Sequence, residues 1–137
     1  MALDTTSTLG TAVLCARLAQ DKMALEILIL DLTDIEGSPA DYFVIASANS
    51  DAQMQAITQS VSRSMKELGM GTARAEGGKE SPWTILDYFD IVIHVMMLET
   101  RDFYRLEHLW GDAKAYTLTN EGTLHELSSV PRRSAGS

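Results

Sequence analysis

Leu25 to Leu32 reads Leu-Glu-Ile-Leu-Ile-Leu-Asp-Leu, and Tyr42 to Ser47 reads Tyr-Phe-Val-Ile-Ala-Ser. Neither run alternates apolar with polar residues as a half-solvated strand does. Strands this apolar need cover on both faces, so they belong inside a sheet with further structure packed above and below it. With 137 residues, 45% of them hydrophobic, the chain has material for one core and one domain.

The flanking segments supply the cover. Leu9, Ala12, Val13, Ala16, Ala19 and Met23 recur at helical spacing, with Leu14 and Leu18 off that stripe. Asp34, Gly37, Ser38 and Pro39 make a turn between the two strands. Ser50 and Gln53 form a capping-box pattern, followed by the stripe Met54, Ile57, Val61, Met65 and Leu68, and Gly69 and Gly71 end that helix. A short strand is expected over 72–76 and a loop over 77–82. Strands over Trp83–Asp87 and Ile91–Met97 are joined as a hairpin by Tyr88-Phe89-Asp90. Thr100 is placed to cap a last helix, with Phe103, Leu106, Leu109 and Trp110 on its inner side. The order α-β-β-α-β-β-β-α predicts an α/β (α+β) domain: a mixed sheet of about five strands with packed helices, one parallel pair made by a right-handed crossover, and an antiparallel hairpin. Residues 1–8 are expected to be flexible, 9–113 to form the domain, and 114–137 to be a flexible tail.

Charge narrows the partners. The chain holds 19 acidic and 11 basic residues, net −8, and residues 1–112 alone carry −9. A broad basic face for nucleic-acid phosphates is therefore not expected, and docking on a basic protein is. A lone cysteine, no apolar run near the ~20 residues of a membrane span, and no basic leader before an apolar stretch point to the cytoplasm.

No phosphate-binding loop or dinucleotide fingerprint occurs, and Gly77-Gly78-Lys79 lacks the strand and helix such a loop needs. One cysteine and three scattered histidines (His94, His108, His125) give no zinc spacing, so neither a metal nor a cofactor is expected. His94 reads as a core or interface residue within a strand, and Cys15 as a packed side chain. A metal-dependent nucleotidyltransferase would need paired carboxylates on adjacent strand positions. The one such spacing, Asp34 and Glu36, falls in a turn.

Six of the nine aromatics, Trp83, Tyr88, Phe89, Phe103, Tyr104 and Trp110, lie within residues 83–110. Glu76, Asp87, Asp90, Glu99, Glu107 and Asp112 are interleaved with them or close by. Part of this set is core. Trp and Tyr with a charged rim is also the composition of a protein-binding hot spot, and the acidic neighbours favour a basic protein over RNA.

Several stretches resemble the ribosomal silencing factors, the RsfS or Iojap family. They are Asp41-Tyr42-Phe43-Val44-Ile45-Ala46-Ser47 with Asn49-Ser50, Glu76-Gly77, and Trp83-Thr84-Ile85-Leu86-Asp87-Tyr88. Asp90-Ile91-Val92-Ile93-His94-Val95, Glu99-Thr100-Arg101-Asp102-Phe103-Tyr104, Leu106-Glu107 and Leu109-Trp110-Gly111-Asp112-Ala113 complete the set. The likeness covers about residues 9–113, and the tail lies outside it. Phe89 and Ala48 stand where the family tends to have glycine, and a bulky Phe89 is expected to make the hairpin turn longer or differently shaped. The resemblance implies a nucleotidyltransferase-like fold without catalytic acids. It also implies a non-enzymatic role: binding the large ribosomal subunit through its protein 14, blocking association with the small subunit, and silencing translation when nutrients are scarce. Glu76, Trp83, Asp87, Tyr88 and Asp90 are the expected docking edge, with Glu99, Arg101, Tyr104 and Glu107 as neighbours. The alternatives are the metal-dependent transferase and a homodimeric interaction domain with a role in ribosome assembly. A free homodimer is compatible with the silencing role as well.

Overall fold

The computed structural model describes residues 6–77 and 80–131. The elements run α1 (Thr8–Asp21), β1 (Leu25–Asp31), β2 (Tyr42–Ala48), α2 (Asp51–Glu67), β3 (Arg74–Glu76), β4 (Trp83–Asp87), β5 (Ile91–Met97) and α3 (Leu98–Tyr104). A 3-10 turn (Leu106–Trp110), β6 (Lys114–Leu118) and β7 (Leu124–Leu127) follow. Seven strands form one mixed sheet in the order β3-β4-β5-β2-β1-β6-β7. Among the described residues only β2 and β5 pair in parallel; every other neighbouring pair is antiparallel.

The two aliphatic runs sit where their composition requires. All of β2 is buried, as are Leu28, Ile29 and Leu30 of β1. One face of the sheet presents Ile29, Val44, Ala46, Ile93 and Val95 to the buried residues of α1 and α2. The opposite face presents Leu28, Leu30, Phe43, Ile45, Val92 and Met96, which pack with Leu106, Ala113, Ala115 and Val130. Helix α2 buries Met54, Ile57, Val61 and Met65, the stripe legible in the sequence, each burial contributing about 2 kcal/mol. The Ser50 hydroxyl accepts from the Gln53 backbone at 3.1 Å, and the Gln53 side chain reaches back to accept from the Asn49 backbone at 2.9 Å.

Several expectations need correction. Residues from 114 onward do not start a flexible tail: β6 pairs with β1, β7 with β6, and Val130 is buried against the sheet. Residues 132–137 lie outside the described residues, as do 1–5. Of the supposedly flexible start, Ser7 caps α1 by accepting from the Gly10 backbone, and Thr8 is already helical. The crossover from β2 through α2 re-enters the sheet at β3, but that strand lies on the far edge, and the parallel neighbour of β2 is β5. Thr100 lies inside α3 rather than capping it. Arg105 then takes a left-handed conformation, φ 47°, and breaks the last helix in two. Leu106 turns inward, whereas Phe103 and Leu109 turn out to solvent, 77% and 73% exposed.

Candidate functional site

The β3–β4 edge sets the expected residues side by side. Cross-strand pairing puts Arg74 opposite Asp87 and Glu76 opposite Ile85. The next strand continues these rows with Val92 beside Asp87, His94 beside Ile85, and Met96 beside Trp83. Side chains two apart on a strand share a face. Trp83, Ile85 and Asp87 therefore line one face of β4, the face away from α1 and α2, while buried Thr84 and Leu86 point to the other. Glu76 is exposed on the same face as Trp83 and Asp87.

An aromatic series climbs from the core to the surface on this face. Trp110 meets Phe43 edge-on at 5.7 Å, and Phe43 packs on His94 at 4.6 Å. His94 lies 5.9 Å from Trp83, Trp83 lies 5.2 Å from Tyr104, and Phe103 stands edge-on to Tyr104 at 5.0 Å. The Trp83 indole N–H donates to His94 Nδ1 at 3.1 Å. Burial holds the His94 imidazole down to about 4, against a smaller opposing pull from Asp87, so at neutral pH His94 is the uncharged acceptor this bond requires. Trp83 is thereby fixed with part of its ring open to solvent, and Tyr104 is 58% exposed. Fixed, partly exposed aromatics lose little conformational freedom on binding, which suits them as anchors.

Two expected neighbours are not surface groups. Arg101 and Glu107 are 3% and 1% exposed and form an ion pair at 3.3 Å. Arg101 also donates to the Ser47 hydroxyl at 3.0 Å and to the Glu26 carbonyl. They tie α3 and the turn after it to β1 and β2, and a docking role for their side chains is corrected to a structural one. Tyr88 is half-buried: its ring packs against the core on the α1–α2 side, the sheet face opposite Trp83 and Asp87, and burial raises its hydroxyl. Asp90 and Glu99 are exposed, the former in the β4–β5 turn and the latter on α3. Phe103 was expected in the core and instead extends the aromatic ledge. Phe103 lies on α3 just before the left-handed Arg105 that ends the helix, and no glycine or proline marks that break in the sequence.

Cys15 is buried, and desolvation pushes its thiol up to about 12, leaving no thiolate at neutral pH. Asp34 and Glu36 lie in the exposed β1–β2 loop, and among the described residues no group of three His, Cys, Asp or Glu is placed to hold a metal ion. No helix among the described residues is long and apolar enough to cross a membrane.

A family model described as "Ribosomal silencing factor during starvation", RsfS, matches residues 5–136. The chain belongs to the RsfS family. The match runs past Ala113 and takes in β6 and β7, which the motif resemblance left outside. Ribosomal silencing factor RsfS of Bacillus subtilis is 41% identical over 100 residues, 73% of this chain and 84% of that protein. The mouse protein named mitochondrial assembly of ribosomal large subunit protein 1 is 36% identical over 73 residues, 51% of this chain and 32% of that protein. A crystal structure from Chromobacterium violaceum superposes with a TM-score of 0.71 at 30% identity, covering 76% of this chain and 86% of that one. The RsfS assignment and the aromatic ledge thus rest on separate observations.

Proposed function

We propose that this protein is a translational repressor of the cytoplasm that binds the large ribosomal subunit through ribosomal protein 14. Once bound, it stands on the face that meets the small subunit and prevents joining by occupying volume. Silencing of this kind under nutrient limitation needs no catalytic residue. Membership of the RsfS family supports the role, and the name of the mouse relative agrees with a large-subunit partner.

The observation that carries the site is the exposed aromatic ledge of Trp83, Tyr104 and Phe103 on the same sheet face as Glu76 and Asp87. Ribosomal proteins are mostly basic. Complementary charge on Glu76, Asp87, Asp90 and Glu99 would steer encounter, and burial of the rings would slow release.

Sedimentation with separated subunits at associating magnesium tests the role. The protein is expected to travel with the large subunit and lower the joined fraction. Trp83→Ala is expected to weaken binding by about tenfold or more, and Asp87→Lys to weaken it through charge reversal. A protein that stays at the top of the gradient with joining unaffected, over a wide concentration range, would rule the role out.

A further inference from the structure

The β4–β5 turn holds a residue that neither the fold nor the aromatic ledge explains. Phe89 is 84% exposed, the most of any large apolar residue among the described residues, and its φ is +78°. The Asp90 backbone N–H donates to the Tyr88 carbonyl at 3.0 Å, a three-residue γ-turn with Phe89 at its centre. The Asp87 carboxylate holds the turn by accepting from the Phe89 backbone at 2.8 Å. A bulky side chain at positive φ is disfavoured, and glycine would occupy this position without strain. Solvent exposure gives the ring no packing to offset that cost.

The surroundings set the kind of contact this ring can make. Asp41 and Tyr42 both donate backbone N–H groups to the Asp90 carbonyl, so the start of β2 lies against the turn. Asp31 pairs with Tyr42, and Asp87 pairs with Val92. Phe89 therefore projects from a sheet end that carries Asp31, Asp41, Asp87 and Asp90. Arg74, opposite Asp87, and Lys114, opposite Asp31, are the basic residues these pairings bring to that end. An apolar knob on a sheet end that holds four carboxylates against two bases complements an apolar socket edged with lysine or arginine.

We propose that the Phe89 hairpin tip is a docking anchor for a basic protein surface containing an apolar socket, at the opposite end of β4 from Trp83. This rests on the reading that the large subunit offers such a protein. Trp83 and Phe89 are six residues apart along the strand and its turn, so the two anchors would bind about 20 Å apart.

The test compares the full-length wild type with Phe89→Gly and Phe89→Asn, both of which tolerate the turn. Binding to purified large subunits and thermal unfolding are measured for each. Both variants are expected to unfold at or above the wild-type temperature and to bind about tenfold more weakly. Binding within twofold of wild type in either variant overturns the proposal while leaving the ribosomal role intact. Weaker binding accompanied by a lower unfolding temperature in both variants also overturns it, since the loss would then follow the fold. Absence of wild-type binding overturns the ribosomal role and this proposal together. Sedimentation velocity of the free protein covers the remaining occupant. A dimer that Phe89→Gly converts to monomer would assign the tip to a second copy of the chain and overturn the basic partner.

Discussion

His94 links the core to the aromatic ledge through one hydrogen bond, and its titration gives that link a pH signature. In an unfolded chain the imidazole takes up a proton near pH 6.5. In the folded protein burial delays uptake until about pH 4. Between those values the unfolded state binds more protons, so stability falls as pH drops through the window and is unaffected by this group above it. A difference of this size corresponds to about 3 kcal/mol once both states are protonated. Protonation would also remove the acceptor that fixes the Trp83 indole. Urea midpoints measured from about pH 7.5 to about pH 4 are expected to fall for the wild type. They should fall by less for His94→Gln, which can still accept the indole bond but cannot titrate. Parallel curves for the two proteins would remove His94 as the cause. Its place within a buried strand was legible in the sequence. Its bond to Trp83 was not, because the two residues meet across a strand pair whose register only the fold defines.

Among the elements, legibility follows the strength of the local pattern. Helix α2 could be read because its capping pair and apolar stripe agree. The β4–β5 hairpin could be read because two apolar strands flank a three-residue turn. The β6–β7 hairpin could not be read. Lys-Ala-Tyr-Thr-Leu and Leu-His-Glu-Leu are short and half-exposed, and what orders them is distant in sequence. Arg17 Nε donates to the Gly122 carbonyl at 2.7 Å, and the Gln20 side chain donates to the Thr119 carbonyl at 2.8 Å, both from α1. Tyr116 and Ala115 meanwhile pair with Ile29 and Leu30 of β1. Gly122 has φ +82°, and a Cβ there would lie 3.3 Å from Gln20 Oε1 and 3.5 Å from Arg17 Nε. Gly122→Ala is therefore expected to cost more than about 1 kcal/mol, with a lower urea midpoint and an unchanged slope. An unchanged midpoint would mean the hairpin contributes nothing to the cooperative fold. The same limit on local reading explains the misjudged helix after β5. A left-handed Arg105, followed by a turn that buries Leu106 beside the Arg101–Glu107 pair, is a tertiary solution with no glycine to announce it.

For the whole molecule, charge and aromatic surface are expected to control different parts of one binding event. The chain carries −8 overall; Glu76 and Asp87 lie on the β3–β4 edge and Asp31, Asp41 and Asp90 at one end of the sheet, while the rings of the aromatic ledge are apolar. Long-range attraction acts before contact and is screened by salt, with a Debye length near 10 Å at 0.1 M. Ring burial acts only after contact and is largely insensitive to moderate salt. If the large subunit is the partner, raising salt from about 50 to about 300 mM should slow association at least about fivefold and leave dissociation nearly constant. Trp83→Ala should do the reverse, speeding dissociation by about tenfold with association almost unchanged. Rapid-mixing fluorescence with labelled protein and purified large subunits separates the two rates. Asp87→Lys belongs to the first class and should lower both the association rate and its dependence on salt. If salt instead acted mainly on dissociation, the carboxylates would be buried in the contact and paired there directly. The sheet edge would then be the centre of the interface and the aromatic ledge its margin.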